Sequence, residues 1–246
     1  MANEKLLPLI AQIHEHGRGT YGSPRVTQEL KRRHEGCGRH RVARLMRQTG
    51  LRGLQKRSFR PRTTDSKHEL PMAPNRLKQA PKPLEPNRAW VADITYIATA
   101  QGWLYLAAVM DLYSRKIVGW ALADHLKSSL PQEALSRAIR NRQPSPELLH
   151  HSDRGVQYAS NDYRTLLQSN QMLRSMSAAG NCYDNAAMES FFSTLKTELL
   201  HRQVWHSYAE VKLAIFDYIE TFYNRRRLHS ALAYQSPAEF EAHAQN

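Results

Sequence analysis

The sequence contains only two cysteines among its 246 residues, Cys37 and Cys182, and they lie far apart. Neither has a Cys-x-x-Cys partner, so the pattern supports neither a disulfide framework nor a zinc site. We expect both to be ordinary reduced thiols.

Long hydrophobic runs are also lacking. No apolar stretch approaches the roughly 18 residues that a membrane span needs, and the first residues, Met-Ala-Asn-Glu-Lys, form no hydrophobic signal segment. We therefore expect a soluble, cytoplasmic protein without a membrane partner. With 41% hydrophobic residues, the chain still has enough apolar material for a sizeable core and a smaller module.

Acidic residues are scarce in the N-terminal third of the chain. Residues 1–89 hold 20 of the 35 Lys and Arg residues but only 7 of the 22 Asp and Glu residues, so they carry the whole net charge of +13. Residues 90–246 are electrically balanced. This segregation favours a neutral catalytic body that a basic arm delivers to DNA. The surplus could instead maintain solubility, but solubility does not require segregation.

Residues 1–50 predict a helical DNA-binding module. A first helix has apolar residues at helical spacing, Ser23 is expected to cap a second helix, and a third, arginine-rich helix ends at Gly50. The last two are compatible with a helix-turn-helix in which Arg41 and Arg44 bind DNA. An arginine-rich surface helix that contacts no DNA fits the same pattern.

Residues 51–89 predict a basic linker. They contain six of the twelve prolines and ten Lys or Arg residues, with little apolar periodicity. Such a segment can lie extended along a DNA backbone or act only as a tether.

Residues 90–205 predict an α/β domain. The expected elements are strands at 90–98, 103–110, 116–122, 148–151 and 171–176, and helices at 131–141, after Ser160 and at 184–201. Their order, β-β-β-α-β-α-β-α, is that of a ribonuclease H-like mixed sheet with flanking helices. Residues 206–246 are expected to form a C-terminal helical extension, which begins with a capping box at Ser207 and Glu210.

Three carboxylates lie in or beside segments that should be buried: Asp93, Asp153 and Glu189. Converging buried carboxylates need cations, most simply Mg²⁺, which also binds phosphate oxygens. The pattern therefore indicates phosphodiester chemistry. On the last helix of the domain, Asn185 and Lys196 share a face with Glu189.

Several of these residues also fit simpler roles. Asp153 alone could form a turn with Arg154, and Lys196 could be a solvated helix lysine. Asp111 is expected to initiate a turn before Ser114 rather than bind metal. The adjacent histidines at 150 and 151 lack a partner at ligand spacing and are expected to be strand-end residues.

Five separated blocks carry a specific resemblance. They are Trp90-x-x-Asp-Ile-Thr-Tyr96, Asp111-Leu-Tyr-Ser-Arg-x-Ile-Val-Gly-Trp120, His151-Ser-Asp-Arg-Gly-x-Gln-Tyr158, Gly180-Asn-Cys-Tyr-Asp-Asn-Ala186 with Glu189-Ser-Phe-Phe192, and Tyr223-Asn-x-x-Arg-x-x-His-Ser-x-Leu232. The chain resembles the catalytic, second-reading-frame subunit of bacterial insertion-sequence transposases in the large frameshifting family numbered three, within the retroviral-integrase core superfamily. Thirty-five residues separate Asp153 from Glu189, which is the spacing of the DD(35)E enzymes. The sequence departs from the family at Ala178-Ala179, where basic residues are common, and at Ala233, where glycine is common.

The resemblance implies the chemistry and the partners. Asp93, Asp153 and Glu189 would bind two Mg²⁺ ions, for which Mn²⁺ can substitute, to cut element 3′ ends and join them to target DNA. Double-stranded DNA, a first-reading-frame subunit or fusion partner, and further copies in a multimer on paired ends are the implied partners, in the bacterial cytoplasm and at the nucleoid. The residues expected to contact DNA are Lys196, Asn185, Gln157, Tyr158, Arg41, Arg44 and Arg225.

Two other classes of function remain open on the sequence. A ribonuclease H-like nuclease or resolvase would share the carboxylates but would need neither the basic linker nor the block at 223–232. A DNA-binding regulator would use the helical pair but would have no reason to carry the carboxylates.

Overall fold

The computed structural model describes residues 2–54, 72–177 and 185–244. The chain divides into two compact units: Met1–Ser58 with Arg227–Ser236, and Phe59–Arg226 with Pro237–Asn246. These units are not bounded at 50, 89 and 205, where the sequence places its domain boundaries. Those boundaries remain predictions. No helix in the described ranges is long and apolar enough to cross a membrane.

The described residues of the first unit form three α-helices, α1 (Ala2–His16), α2 (Ser23–Arg32) and α3 (Arg39–Gln48). Their apolar faces meet in a small core that buries Ile10, Ile13, Val26, Leu30, Val42 and Leu45. The predicted helices are confirmed, but the predicted cap is off by one residue. Gly22 is the N-cap of α2, and Ser23 is already helical.

A distant segment of the chain completes this unit. Leu228 donates its backbone N–H to the Tyr21 hydroxyl at 2.9 Å and accepts a hydrogen bond from Arg25 Nε at 2.9 Å. An isolated bridge between His229 and Gln235 closes the segment on itself. The C-terminal block at 227–236 therefore folds with the N-terminal helices.

The second unit is built on a five-stranded mixed sheet. The strands are β1 (Ala89–Thr99), β2 (Gly102–Asp111), β3 (Ile117–Ala123), β4 (Leu149–Ser152) and β5 (Leu173–Met176), in the order β3-β2-β1-β4-β5. The first three form an antiparallel meander, while β4 and β5 run parallel to β1. The predicted α/β fold with a mixed sheet is confirmed.

Three helices cover the hydrophobic core of the sheet: α4 (Ser129–Arg142), α5 (Val156–Ala159) and α6 (Asn161–Ser169). The sequence predicted α4 and the Ser160 cap of α6 but missed the single turn of α5. Gly119 lets α4 approach closely, because a Cβ atom there would lie 2.3 Å from the carbonyl oxygen of Ala134.

The remaining helices of the second unit are α7 (Ala186–Glu198), which packs on β1, α8 (Tyr208–Phe216) and α9 (Pro237–His243). A 3₁₀ turn at Leu200–Arg202 follows α7, and α8 continues as a π-helix over Asp217–Tyr223. Half of the predicted capping box is present, because the Ser207 hydroxyl accepts from Glu210 N–H. The Glu210 carboxylate accepts from the N–H of His206, one residue before the cap, and not from that of Ser207.

Part of the expected linker packs on the sheet unit. Met72 and Ala73 lie against its hydrophobic core, and the backbone N–H groups of Arg76 and Leu77 donate to the Ser175 hydroxyl at 3.0 and 3.2 Å. Residues 55–71, the rest of the basic stretch, lie outside the described residues.

Candidate active site

Asp93 lies where one edge of β1 becomes open. The pairing of β4 with β1 ends at Ala92, which is aligned with Ser152, and among the described residues no other strand pairs with that side of β1 from Asp93 onward. The Asp93 side chain is half-buried, and its Oδ1 accepts the backbone N–H of Ile94 at 2.7 Å. The carboxylate is thus held at the sheet edge.

Asp153 follows directly from the same register. Because Ala92 and Ser152 are partners in a parallel pair, the next residues, Asp93 and Asp153, leave adjacent strands at the same point. Adjacent strands are about 4.8 Å apart. Asp153 Oδ1 accepts the N–H of Gly155 at 2.9 Å, which fixes the loop after β4. The sheet therefore brings the two aspartates together.

Glu189 comes from the first turn of α7 and is exposed. An acidic side chain is favourable there because the helix N-terminus carries partial positive charge. Its charge reaches Asp93, whose pKa it helps to raise. The preceding residues, 178–184, include the Ala178-Ala179 departure and Cys182 and lie outside the described part.

The electrostatics of the site favour a cation. Burial, the neighbouring Asp153 carboxylate and, more weakly, Glu189 hold the pKa of Asp93 well above its ordinary value, while the Ile94 N–H and Lys196 oppose that rise. An approaching cation would relieve this repulsion, and carboxylate oxygens are the ligands that Mg²⁺ prefers. The donor set of Asp93 and Asp153 therefore fits a divalent metal. Within the described ranges, no three Asp, Glu, His or Cys side chains are already arranged as a metal site.

Lys196 lies beside this acidic group. Its Nζ sits 4.6 Å from the centroid of the Tyr96 ring, and partial burial lowers its pKa although Asp93 opposes the change. The predicted proximity of Lys196 to the carboxylates is consistent with this placement. The sequence did not predict that the Tyr96 ring would contact the Lys196 ammonium.

The other predicted contacts near the site differ in exposure. Gln157 is half-buried and donates through Nε2 to the Leu126 carbonyl at 3.1 Å. Tyr158 is only 2% exposed and packs edge-on against Tyr163, so it is a core residue where a surface contact was predicted. Asn185 is also buried. Among the described residues, the Tyr158 hydroxyl and Asn185 Oδ1 have no hydrogen-bond partner.

The predicted arginine contacts are distant in the chain from the carboxylates. Arg44 is exposed on α3, whereas Arg41 on the same helix donates two hydrogen bonds to Asn3 Oδ1, at 3.0 and 2.7 Å. Arg225 is exposed just after the π-helix. Their contacts with DNA remain predictions.

The two histidines on β4 have structural roles. His150 Nε2 and the Tyr163 hydroxyl share a hydrogen bond of 3.0 Å. Burial lowers the pKa of His150 to about 3, so the imidazole is neutral at ordinary pH. His151 bridges the hydroxyls of Ser175 and Ser177, at 2.8 and 3.1 Å. Asp111 likewise closes its turn by accepting from Tyr113 N–H at 2.9 Å. As the sequence predicts, the two histidines lie on a strand and Asp111 forms a turn.

Comparison with known protein families gives three matches. Residues 83–182 and 189–244 each match a family described as "Integrase core domain", and residues 1–59 match one described as "HTH-like domain". The chain is 46% identical over 239 residues to a 31 kDa protein of insertion element IS600 from Shigella sonnei, covering 97% of this chain and 88% of that protein. It is 41% identical to the transposase InsF for insertion sequence IS3A from Escherichia coli K12, covering 90% and 76%. It is 40% identical to the transposase for element IS904 from Lactococcus lactis, covering 94% and 90%.

Solved structures share the fold. A chain of the simian T-cell lymphotropic virus intasome, solved with the PP2A regulatory subunit B56 gamma, superposes with a TM-score of 0.55 at 16% identity, covering 94% of this chain and 74% of that one. The HTLV-2 integrase catalytic core domain in complex with magnesium, in its trimeric form, gives 0.50 at 15% identity, covering 64% and 98%.

Proposed function

This chain belongs to the IS3 family of insertion-sequence transposases, and from that premise we propose that it cuts the 3′ ends of an insertion element and joins them to target DNA. It is a polynucleotidyl transferase of the DDE type. The observation that carries the proposal is the parallel register of β4 with β1, which sets Asp93 beside Asp153 at an open sheet edge.

Asp93, Asp153 and Glu189 would hold the metal, as two Mg²⁺ ions for which Mn²⁺ can substitute. When bound, the ions would activate the attacking water or 3′-hydroxyl and stabilise the leaving oxygen. The chain's own part is to orient the ligands. The N–H groups of Ile94 and Gly155 each hold one carboxylate oxygen, and these bonds would orient the two aspartates toward the metal.

Lys196 would bind a phosphate of the reacting strand. Its ammonium group lies against the Tyr96 ring and within electrostatic reach of Asp93. A cation beside the carboxylates positions the DNA backbone and partly neutralises the charge that gathers when phosphate meets carboxylate. Gln157, which lines the same cavity as Tyr96, would contact the DNA end, and so would Asn185 at the N-terminus of α7. Tyr158 is buried in the core and is not proposed as a DNA contact.

The N-terminal helices would hold double-stranded DNA. The family description of residues 1–59 as HTH-like and the exposed arginines of α3, including Arg44, support this assignment. Arg41 and Arg225 would add phosphate contacts. We further propose that the chain works in a multimer on paired element ends, with a first-reading-frame product as subunit or fusion partner, in the bacterial cytoplasm at the nucleoid.

The test uses two isosteric variants of the carboxylates. Asp153→Asn and Glu189→Gln keep side-chain shape and remove the charge that binds metal. Each should abolish both cleavage and joining of a pre-cut element end to a plasmid, while DNA affinity stays within about threefold. Asp162→Asn, on the exposed first turn of α6, is the matched control and should keep full activity.

The same assay separates the classes of function. Joining identifies a transposase, cutting without joining identifies a nuclease or resolvase, and binding alone identifies a regulator. Joining that survives in Asp153→Asn or Glu189→Gln would refute the assignment of the carboxylates.

A further inference from the structure

The sheet unit contains a small aromatic cavity whose lining includes residues close in sequence to Asp93 and Asp153 but none of the three carboxylates. It has a volume of about 290 Å³, and Ile94, Tyr96, Trp103, Tyr105, Leu126 and Gln157 line it. Pockets for drug-sized ligands measure about 300 to 1,000 Å³. This cavity is therefore large enough for one flat ring system.

The sheet register builds the aromatic wall. Tyr96 on β1 pairs directly with Tyr105 on β2, and Trp103 precedes Tyr105 by two residues, so the three side chains share one face. The rings of Tyr96 and Trp103 meet edge-to-face, with centroids 5.1 Å apart and planes at 83°. Trp103 is 52% exposed, so a large apolar surface faces solvent at the cavity. Such a surface is suited to stacking against a second ring.

The cavity also offers polar recognition at its rim. The Gln157 side chain donates an N–H of Nε2 to the Leu126 carbonyl. Within the described part of the chain, this side chain makes no other hydrogen bond. Its amide oxygen can therefore accept a hydrogen bond from an amino group. An aromatic wall with one amide at the edge matches the chemistry of a nucleobase, which has flat faces and a polar rim.

The position of the cavity connects it with the reacting strand. Ile94 directly follows Asp93 on β1, so their side chains leave the strand on opposite faces, and Gln157 lies four residues after Asp153. The link between the cavity and the carboxylates is Lys196, which interacts electrostatically with Asp93. The ammonium of Lys196 covers the Tyr96 ring at 4.6 Å, where it can bind phosphate. A nucleotide next to the scissile phosphate can thus place its base in the cavity while its backbone stays near Lys196 and the carboxylates.

We propose that this cavity binds one unpaired nucleobase of the DNA strand that flanks the scissile phosphate. The proposal rests on the proposed function, because it assigns a subsite to the same reaction. The base must be unstacked from its neighbours, since a paired base inside a duplex presents no free face to Trp103. Frayed element ends and locally opened target DNA are the two sources of such a base.

Photocrosslinking of the full-length protein tests the contact without requiring catalysis. A single 5-iododeoxyuridine is placed at successive positions of a pre-cut element end, and in a separate series along the target strand. Irradiation should crosslink one position, next to the scissile phosphate, to a peptide that contains Trp103. The series in which the crosslink appears identifies the source of the base. Trp103→Ala should remove the crosslink, Trp103→Phe should retain it in part, and Phe216→Ala should leave it unchanged, since Phe216 is equally exposed (54%) but lies on α8.

A cycle with abasic DNA measures the contribution of the stacked base. Loss of stacking costs about tenfold or more in affinity, from roughly 1–3 kcal/mol per base, so Trp103→Ala should lower joining of intact DNA by about tenfold. Removing the base at the crosslinked position should have the same effect on the wild type, and Trp103→Ala should then add nothing. Thermal unfolding should stay cooperative with only a small loss of stability, because Trp103 is half-exposed and its ring contact is with Tyr96.

The outcomes separate the two proposals. If the wild type joins DNA but no position crosslinks to the cavity, or if Trp103→Ala is equally harmful on every abasic substrate, the cavity does not bind a base. If the crosslink forms but the wild type neither cuts nor joins, the cavity assignment stands and the proposed function fails.

Discussion

Ala233 occupies a backbone conformation that disfavours alanine. Its φ of 50° and ψ of 36° lie in the left-handed region, and it ends the short 3₁₀ turn Ser230–Leu232. A Cβ atom there costs roughly 1–2 kcal/mol. The glycine that is common at this position in resembling sequences would not incur that cost, so the departure noted in the sequence now has a structural consequence.

We therefore expect Ala233→Gly to stabilise the protein. The free energy of unfolding should rise by about 0.5–1 kcal/mol, because relief of the strained φ exceeds the greater chain entropy of glycine in the unfolded state. Urea denaturation measures the change. The control is Ala231→Gly, an exposed alanine inside the same turn without a positive φ, which should lower stability. Equal losses in both variants would contradict the strain at Ala233.

Single residues also show which parts of the candidate site the local sequence can predict. The carboxylates are recognisable because acidic residues in apolar segments are rare, and the register of β4 with β1 sets Asp93 and Asp153 at the ends of adjacent strands. Their role as metal ligands stays a prediction. Tyr158 could not be placed in the same way. A tyrosine one residue past a half-exposed glutamine has no local mark that separates core from surface, and only the packing against Tyr163 decides.

At the scale of elements, the prediction was strongest where periodicity was strong. The strands β1, β2 and β3 and helix α4 lie close to their expected limits, whereas the π-helix Asp217–Tyr223 and the association of 227–236 with the N-terminal helices were not predicted. The contact from Arg25 to Leu228 spans 203 residues. Such pairings arise from tertiary packing and leave no trace in the local pattern of either segment.

A buried carboxylate, Glu241, helps to attach helix α9 to the rest of the sheet unit. Glu241 is 6% exposed and accepts hydrogen bonds from the Ser114 hydroxyl at 2.8 Å, from Lys116 Nζ at 2.9 Å and from two nitrogens of Arg142 at 2.9 Å. Burial would raise its pKa, but the bonds from Arg142, Lys116 and Ser114 outweigh burial and hold the pKa below its ordinary value of 4.5.

Replacing this carboxylate should destabilise α9 in a pH-dependent way. Glu241→Gln leaves two cations without their buried partner and should cost about 3 kcal/mol at pH 7. A lowered pKa contributes stability that is complete above the unfolded value and is lost as the pH falls through the folded value. The difference between wild type and variant should therefore shrink below pH 4.5.

Urea unfolding at a series of pH values checks this expectation. Glu133→Gln serves as control, because Glu133 pairs with Arg137 on the exposed face of α4 and should contribute at most about 0.5 kcal/mol at any pH. A Glu241→Gln penalty that stays constant from pH 7 to pH 3 would mean that packing, and not charge, attaches α9.

For the whole molecule, the charge distribution predicts how binding depends on salt. The exposed arginines of α3 outside its buried face are Arg39, Arg44 and Arg47. Each phosphate contact that is lost should flatten the log-log dependence of affinity on salt by about 0.9. The triple change to Gln should thus reduce the slope by up to about 2.7 while the fold is kept, because these side chains lie outside the core.

Electrophoretic mobility shift or anisotropy titrations across a salt series measure the slope. Arg137→Gln with Arg140→Gln removes surface charge from α4 in the sheet unit and should leave the slope nearly unchanged. If the α3 triple variant has the wild-type slope, the basic N-terminal unit serves only solubility.

The assembly of the protein gives the last prediction. Joining both ends of an element requires two DNA ends to be held together, and one chain offers one set of Asp93, Asp153 and Glu189. Since the sequence has no heptad seam, we expect the free chain to be monomeric or weakly associating, and to multimerise when two terminal sequences are supplied. An Asp93→Asn subunit should bind DNA while it lacks one of the proposed metal ligands. Mixed with active protein at constant total concentration, it should depress joining more steeply than its fraction, because one inactive copy disables a shared complex. A strictly proportional loss would show that each chain acts alone, and the nuclease class would then fit better.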